Sequence, residues 1–464
     1  MSKMMYGRTV RFLMGALVFF LPWGIFGQES GGAAVRRLSP DEAVDLAIQN
    51  NLSLEVERIN AGTKKRASDL SWNRFVPGVT VAGILTRDNE KTTGTVFIPS
   101  PPSIVSYEAP QWHLAGRLGA ELAINLAMFE AMRTVRLDYE GGLITYEAAR
   151  AQLEQNVRKA YYQILLAEES VKLNRENFAN AERRVSMARD NYQAGLAPEL
   201  SLLQAQVSRE NLRPVIDQAE NGLKVAMAQF AMSLGLEYDT QFEFISIEDD
   251  LELIPLDVAE LISKAASGRP DILALKQTIL TLESQRRALK FANLTPSLNL
   301  SWDMTRAFTE DPWKTSWFSD NWARGGSLTI TLAMRLHSLL PFSPDYQGIK
   351  DADDRIRTAN IALAQRIRGT EIEIYNTVLT LERTRTSAEA QRLTIAMAEQ
   401  AYRLTEEAYR AGLQDLLEVQ NAELALHQAR LQMLEQNFNY RIGLIDLEYA
   451  IGVPFGTLSS RGSE

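Results

Sequence analysis

The chain contains no cysteine in its 464 residues. That excludes a disulfide framework, a thiol nucleophile, a thiolate metal site and acylation at an N-terminal cysteine. Histidine is nearly as scarce. His113, His337 and His427 are the three present, and none has metal-ligand spacing. Basic residues do not predominate: 49 Lys+Arg stand against 58 Asp+Glu, a net charge of -9. A nucleic-acid partner, which needs a basic face, is therefore not expected. There is no phosphate-cradling glycine loop and no nucleophile elbow. Acidic clusters such as Glu248-Asp249-Asp250 read as solvated surface. An enzyme is not indicated, and no cofactor is expected. Beyond the N-terminus, no apolar run reaches the ~20 residues of a membrane-spanning helix.

What is present begins with a signal-peptide pattern. Lys3, Arg8 and Arg11 form a positive region, Phe12 to Leu21 an apolar core, and small residues follow Pro22. Residues 1–27 are read as the signal, cleaved after Gly27. A single membrane anchor is the alternative, although the apolar core is short for one. An exported chain without a spanning helix can still enter a membrane as a β-barrel.

The remainder is written twice. Tyr192-Gln-Ala-Gly195-Leu196 matches Tyr409-Arg-Ala-Gly412-Leu413, and the glycines differ by 412 − 195 = 217. Gly235 matches Gly452 at the same offset, Pro77 matches Pro296 at 219, and Asn51 matches Arg269 at 218. Two units of about 220 residues are expected, over 38–255 and 256–454, with a tail at 455–464; a unit this long is not a solenoid repeat. Each reads helix, strand, strand, long helix, returning helix.

Four segments alternate with period two, so each has one apolar and one hydrophilic side. Strands are expected at about 76–87, 114–127, 296–307 and 327–337. Leu114, Leu118, Ala120, Leu122, Ile124 and Leu126 share one face of the second. Leu328, Ile330, Leu332, Met334 and Leu336 share one face of the fourth. A soluble sandwich alternates in the same way. Strands of ~10 residues and long Pro-, Gly- and Trp-bearing connections at 88–113 and 307–326 point instead to a tilted membrane barrel. Four strands cannot enclose a pore, since eight already fill their interior with side chains. Several chains must then share one barrel, and three would contribute twelve strands.

From about Arg133 to Ala194 no proline intervenes. Leu153, Val157, Ala160, Ile164, Ala167 and Val171 open a 4,3,4,3 series that continues to Tyr192, a coiled-coil seam. Shifted by 217, the series reappears in more polar form from Ile374 to Tyr409. Gly195 and Gly412 are expected to cap these helices. Returning helices are expected at 198–235, kinked at Pro214, and at 415–451, where Leu417, Leu424, Leu431, Phe438 and Ile445 recur every seven residues.

The signal peptide, duplicated strand pairs, the proline-led strand at Pro296-Ser-Leu-Asn-Leu and the Tyr-x-x-Gly-Leu tips together resemble the TolC-like outer-membrane efflux proteins, the outer membrane factors. The resemblance spans roughly Leu38 to Pro454. It implies a mixed α and β membrane protein: a homotrimer whose twelve-stranded barrel sits in outer-membrane lipid and continues as an antiparallel helical coiled-coil barrel in the periplasm. It also implies docking to a periplasmic adaptor (membrane fusion) protein and an inner-membrane transporter of RND, ABC or MFS type. Function as a small-molecule exit duct follows, with type I protein secretion as the alternative and a soluble periplasmic coiled-coil scaffold as the competing class. Members close the periplasmic end with tyrosine, arginine and aspartate side chains. Tyr409 matches the gate tyrosine. Gln414 stands where arginine occurs, Glu418 keeps the charge of an inward aspartate, Asn421 loses that of a second, and Ser201 replaces the first repeat's acidic partner. Gly195, Leu196, Gly412 and Leu413 are the resemblance's candidates for adaptor docking.

Overall fold

Ser39 starts the first helix with a capping box: its hydroxyl accepts from the Glu42 N–H, and the Glu42 carboxylate accepts from the Ser39 N–H. The computed structural model describes residues 36–245 and 257–458. The expected signal segment, the boundary between the two units and the end of the tail lie outside the described residues. The first half runs β1 (Arg36–Leu38), α1 (Pro40–Asn50), α2 (Leu52–Asp69), a 3-10 turn (Ser71–Phe75), β2 (Gly78–Arg87), β3 (Thr93–Pro99), β4 (Pro102–Glu108), β5 (Trp112–Ile124), α3 (Ala127–Gln193), α4 (Glu199–Ser233) and β6 (Phe242–Phe244). The second runs α5 (Val258–Gly268), α6 (Pro270–Leu294), β7 (Ser297–Phe308), β8 (Trp322–Ala333), a 3-10 turn (Leu336–Leu339), α7 (Pro344–Arg410) and α8 (Leu416–Ile451).

Helices α3 and α7 each have 67 residues. At ~1.5 Å per residue each spans about 100 Å, far beyond the width of a small domain. Each turns back into a shorter helix, α4 or α8. The glycine pair Gly141-Gly142 lies within α3 without breaking it, and there the absence of side chains lets Lys64 of α2 and Gln277 of α6 come close. Helix α4 runs unbroken through Pro214.

Buried residues repeat at the sequence offset. Val157, Tyr161, Ile164, Phe230 and Leu234 sit in one apolar cluster, and Ile374, Val378, Leu381, Leu447 and Ile451, each 217 residues later, sit in the other. The first cluster is aromatic. Tyr161 packs edge-on to Phe244 at 5.1 Å, and its hydroxyl donates to the Leu38 carbonyl at 2.8 Å. Burial pushes the Tyr161 phenol up to about 12. This hydroxyl also accepts from the Ile245 N–H, so it fastens the short parallel pair β1–β6 to α3.

The segment read as one helix before each strand pair is two helices. The break falls at Asn51 and at Arg269, both extended (ψ 119 and 124). Asn51 caps α2 and donates through Nδ2 to the Ser233 carbonyl; Arg269 precedes Pro270 and donates to the Ala450 carbonyl. Both contacts tie the break to the end of the returning helix. That end is Gly235 or Gly452, each at φ +71.

Several boundaries move. β2 starts at Gly78, and β8 begins at Trp322 and ends at Ala333, so Met334 falls beyond the strand and Leu336 opens a 3-10 turn. The connection at 88–113 carries its own hairpin, β3–β4, paired from Thr93–Glu108 to Pro99–Pro102. Of the expected seven-residue series, Leu417 and Leu424 are exposed, whereas Phe438 packs on the first cluster and Ile445 is buried. In the first turns of α8 the buried face is instead Leu416, Val419, Glu423 and Leu426, one step earlier and itself spaced 3,4,3 as in a heptad seam.

The sheet face and the hairpin tips as candidate functional sites

β2, β5, β7 and β8 form one antiparallel sheet in that order. Its register aligns side chains across all four strands. Val79, Ala120, Trp302 and Leu328 form one row; Val81, Leu118, Met304 and Gly326 form the next; Ile124, Leu298 and Leu332 form a third. The rows between carry Thr80, Gly119, Asp303 and Ser327, or Gly78, Glu121, Ser301 and Thr329. Because alternate residues point to opposite sides, these rows make one face apolar and the other polar. On the polar face Ser327 donates to Asp303 at 2.6 Å. The apolar face is uncovered, with Val81 83% and Leu332 70% exposed. β2 and β8 are the edges of this sheet, and neither has an outer neighbour among the described residues.

At the opposite end of the molecule the long helices turn. Gly195 takes φ +69 and Gly412 φ +73. Leu196 N–H donates to the Asn191 carbonyl and Gly195 N–H to Tyr192; Leu413 N–H donates to Ala408 and Gly412 N–H to Tyr409. Both are Schellman caps, which require the left-handed residue that glycine supplies without strain. The two leucines that follow are 79% and 78% exposed. The tips lie side by side: Tyr409 and Leu416 pack with Val185, Ala188, Leu202 and Ala205 of the first hairpin. Tyr409 is thus part of an apolar contact between hairpins. Glu418 and Asn421 sit one turn apart on an exposed face of α8, Gln414 is exposed in the turn, and Ser201 lies in the first turn of α4.

A buried ion pair lies above the tips, where the sequence reading placed no charge. Arg184 of α3 and Glu423 of α8 are in contact, with side chains 6% and 8% exposed. Burial holds the Glu423 carboxyl above its ordinary value despite the guanidinium. Burial, followed by the nearby Glu423, also raises Tyr402 of α7. His427 donates through Nε2 to Asn174 at 3.1 Å in the same layer. The available signal was position: Glu423 continues the Leu416, Val419 and Leu426 series, so a carboxylate occupies a core register. Among the described residues no group of three His, Asp or Glu could hold a metal, and no helix is long and apolar enough to cross a membrane.

The family described as outer membrane efflux protein matches residues 43–236 and again 261–453. The chain belongs to this family. SilC of Salmonella typhimurium, described as a probable outer membrane lipoprotein, is 21% identical over 342 residues, 72% of this chain and 71% of SilC. Among solved structures, CusC, described with conformational changes accompanying folding and transmembrane channel formation, superimposes with a TM-score of 0.74 at 17% identity, over 89% of this chain and 92% of CusC. The CmeC outer membrane channel of Campylobacter jejuni gives 0.71 at 17% identity, over 89% and 85%. VceC of Vibrio cholerae gives 0.70 at 16%, over 90% and 96%. This outer membrane efflux protein is accordingly an outer-membrane transport protein. A soluble periplasmic scaffold is set aside.

Proposed function

We propose that three copies of the chain join β8 of one to β2 of the next. Three times four strands make a twelve-stranded barrel, and the helical hairpins continue it as a tunnel. The duct passes small molecules, drugs and toxic compounds among them, to the exterior. A periplasmic adaptor and an inner-membrane transporter of RND, ABC or MFS type deliver them.

One observation carries this reading: the four-stranded sheet has two open edges and one uncovered apolar face. Open edges invite pairing, and closure into a barrel removes them. Lipid covers such a face without further protein, while the polar face of Thr80, Asp303 and Thr329 lines water. In the same arrangement Glu418 supplies a ring of three carboxylates near the periplasmic mouth. Gln414 and Asn421 contribute neutral hydrogen bonds, and Tyr409 contributes packing. The exposed Leu196 and Leu413, presented by Gly195 and Gly412, are the adaptor contacts.

The test is accumulation of a fluorescent dye in cells lacking the gene, with and without complementation. Higher accumulation, reversed by the gene, is expected. Equal accumulation removes small-molecule cargo and directs attention to secreted proteins. Cross-linking of membrane fractions separately reads the copy number, and absence of a trimer removes the barrel.

A further inference from the structure

Two arginines interrupt the apolar face at its loop end. Arg306 lies directly opposite Arg324 across the β7–β8 pair. Both alternate with Thr305 and Gly325, so they share the side of Trp302, Met304 and Leu328. Facing side chains in a sheet stand ~5 Å apart at Cβ, where like charges repel. Among the described residues no carboxylate forms an ion pair with either. Arg87, the last residue of β2, projects from the same face, its guanidinium 5.8 Å from the Trp112 ring.

Aromatic rings frame this level. Phe308 faces Trp322 with ring centroids 5.1 Å apart, and Trp112 meets Trp313 edge-on at 5.9 Å. Such rings collect at membrane–water interfaces. The height agrees. From Ser297 to Arg306 is 306 − 297 = 9 residues. That is about 30 Å along the strand, or about 23 Å along the normal at a ~40° tilt, close to the ~25 Å apolar band of outer-membrane barrels. The guanidinium groups therefore emerge at the outer rim, where arginine on a lipid face is tolerated best.

A repelling pair without a protein counter-charge calls for an anion from outside. Guanidinium forks bind phosphate bidentately. We propose that Arg306 and Arg324, joined by Arg87 of the next copy across the closing seam, bind the phosphate of a phosphorylated lipid headgroup in the outer leaflet. The inference rests on the barrel reading, which turns this face toward lipid.

The experiment uses the purified full chain in detergent and native mass spectrometry. Three probes are added separately: bisphosphorylated lipid A, the same lipid dephosphorylated, and inorganic phosphate. The trimer is expected to bind the phosphorylated lipid at least tenfold more tightly than the dephosphorylated one. Arg306→Gln with Arg324→Gln should abolish that preference, and Arg306→Lys with Arg324→Lys should keep part of it. Equal binding of the two lipids by the unaltered trimer overturns the site without any variant. So does an undiminished preference in the glutamine variant. Displacement of lipid by equimolar inorganic phosphate would make the ligand free phosphate and overturn the lipid. A monomer in every spectrum refutes the barrel itself, whereas a trimer without preference refutes only the headgroup site.

Discussion

Arg184 of α3 and Glu423 of α8 form an ion pair whose two side chains are more than nine-tenths buried. It joins the first hairpin to the second. Removing one partner leaves a buried charge uncompensated, which costs about 3–5 kcal/mol. Glu423→Gln should therefore lower the thermal midpoint of the helical circular-dichroism signal strongly. Arg184→Met with Glu423→Leu replaces the pair by apolar packing and should cost far less. If the single variant unfolds like the unaltered protein, the pair does not join the hairpins energetically.

His427 gives the same layer a pH dependence. Burial, then the charge of Arg430, holds its imidazole below 6.5. Glu423, Glu176 and Arg430 are the charged groups around it. The unfolded chain takes up a proton near pH 6.5 while the folded chain resists. The stabilisation is full above about pH 6.5 and is lost as pH falls through the folded value. Glu423, shifted upward, works in the opposite sense: its contribution is present below 4.5 and lost as pH rises through its folded value. Comparing His427→Gln with the unaltered protein at pH 7.5 and 5.5 isolates the histidine. The variant should lose less stability on acidification, and equal losses would assign the effect elsewhere.

Local chemistry made much of this legible in the sequence. Alternation placed Leu118, Trp302 and Leu328 on one side of the sheet, and two glycines marked the tips, because strand pleat and left-handed caps are written into short windows. What depended on distant partners was not legible. β1 pairs with β6 through Arg37 and Glu243, which are remote in sequence. β3–β4 is bounded by Pro99 and Pro102, which read as loop. The Leu417–Leu424 stripe is a genuine heptad, but a seven-residue repeat does not say which neighbour it faces; within the chain the burial went to Leu416 and Val419. Glu423 looks like any helix carboxylate in its local window, and only its distant partner Arg184 makes it part of the core.

Glycines at positive φ should differ in their tolerance. At Gly195 (φ +69) a Cβ meets open space, so Gly195→Ala should cost only the left-handed strain, roughly 1–2 kcal/mol. At Gly235 (φ +71) a Cβ would overlap the Asn50 carbonyl oxygen, where the end of α4 rests on the end of α1. Gly235→Ala must add a clash with backbone. Its loss of thermal stability should clearly exceed that of Gly195→Ala, and similar losses would mean that the α1–α4 contact yields readily.

Leu413 is 78% exposed beyond a Schellman cap and contributes nothing to the cluster beneath it. An apolar side chain displayed there suits a partner surface. Leu413→Asp should abolish dye export while leaving trimers and helical content intact. Export at the unaltered level would remove the docking role.

Glu418 lies on the exposed face of α8 near its start, three residues before Asn421. In a trimer its carboxylate occurs three times around the axis. Like charges gathered at a narrow mouth raise the local cation concentration; a potential of one kT changes it about threefold. Glu418→Gln should therefore lower the cation-to-anion permeability ratio of the trimer in a planar bilayer roughly threefold at low salt. The difference should shrink at 1 M salt, where charges more than ~3 Å apart are screened. Asn421→Ala, one turn away and neutral, should leave the ratio unchanged. A ratio insensitive to Glu418→Gln at low salt would turn this carboxylate away from the axis and leave closure of the mouth to Tyr409 and its apolar neighbours.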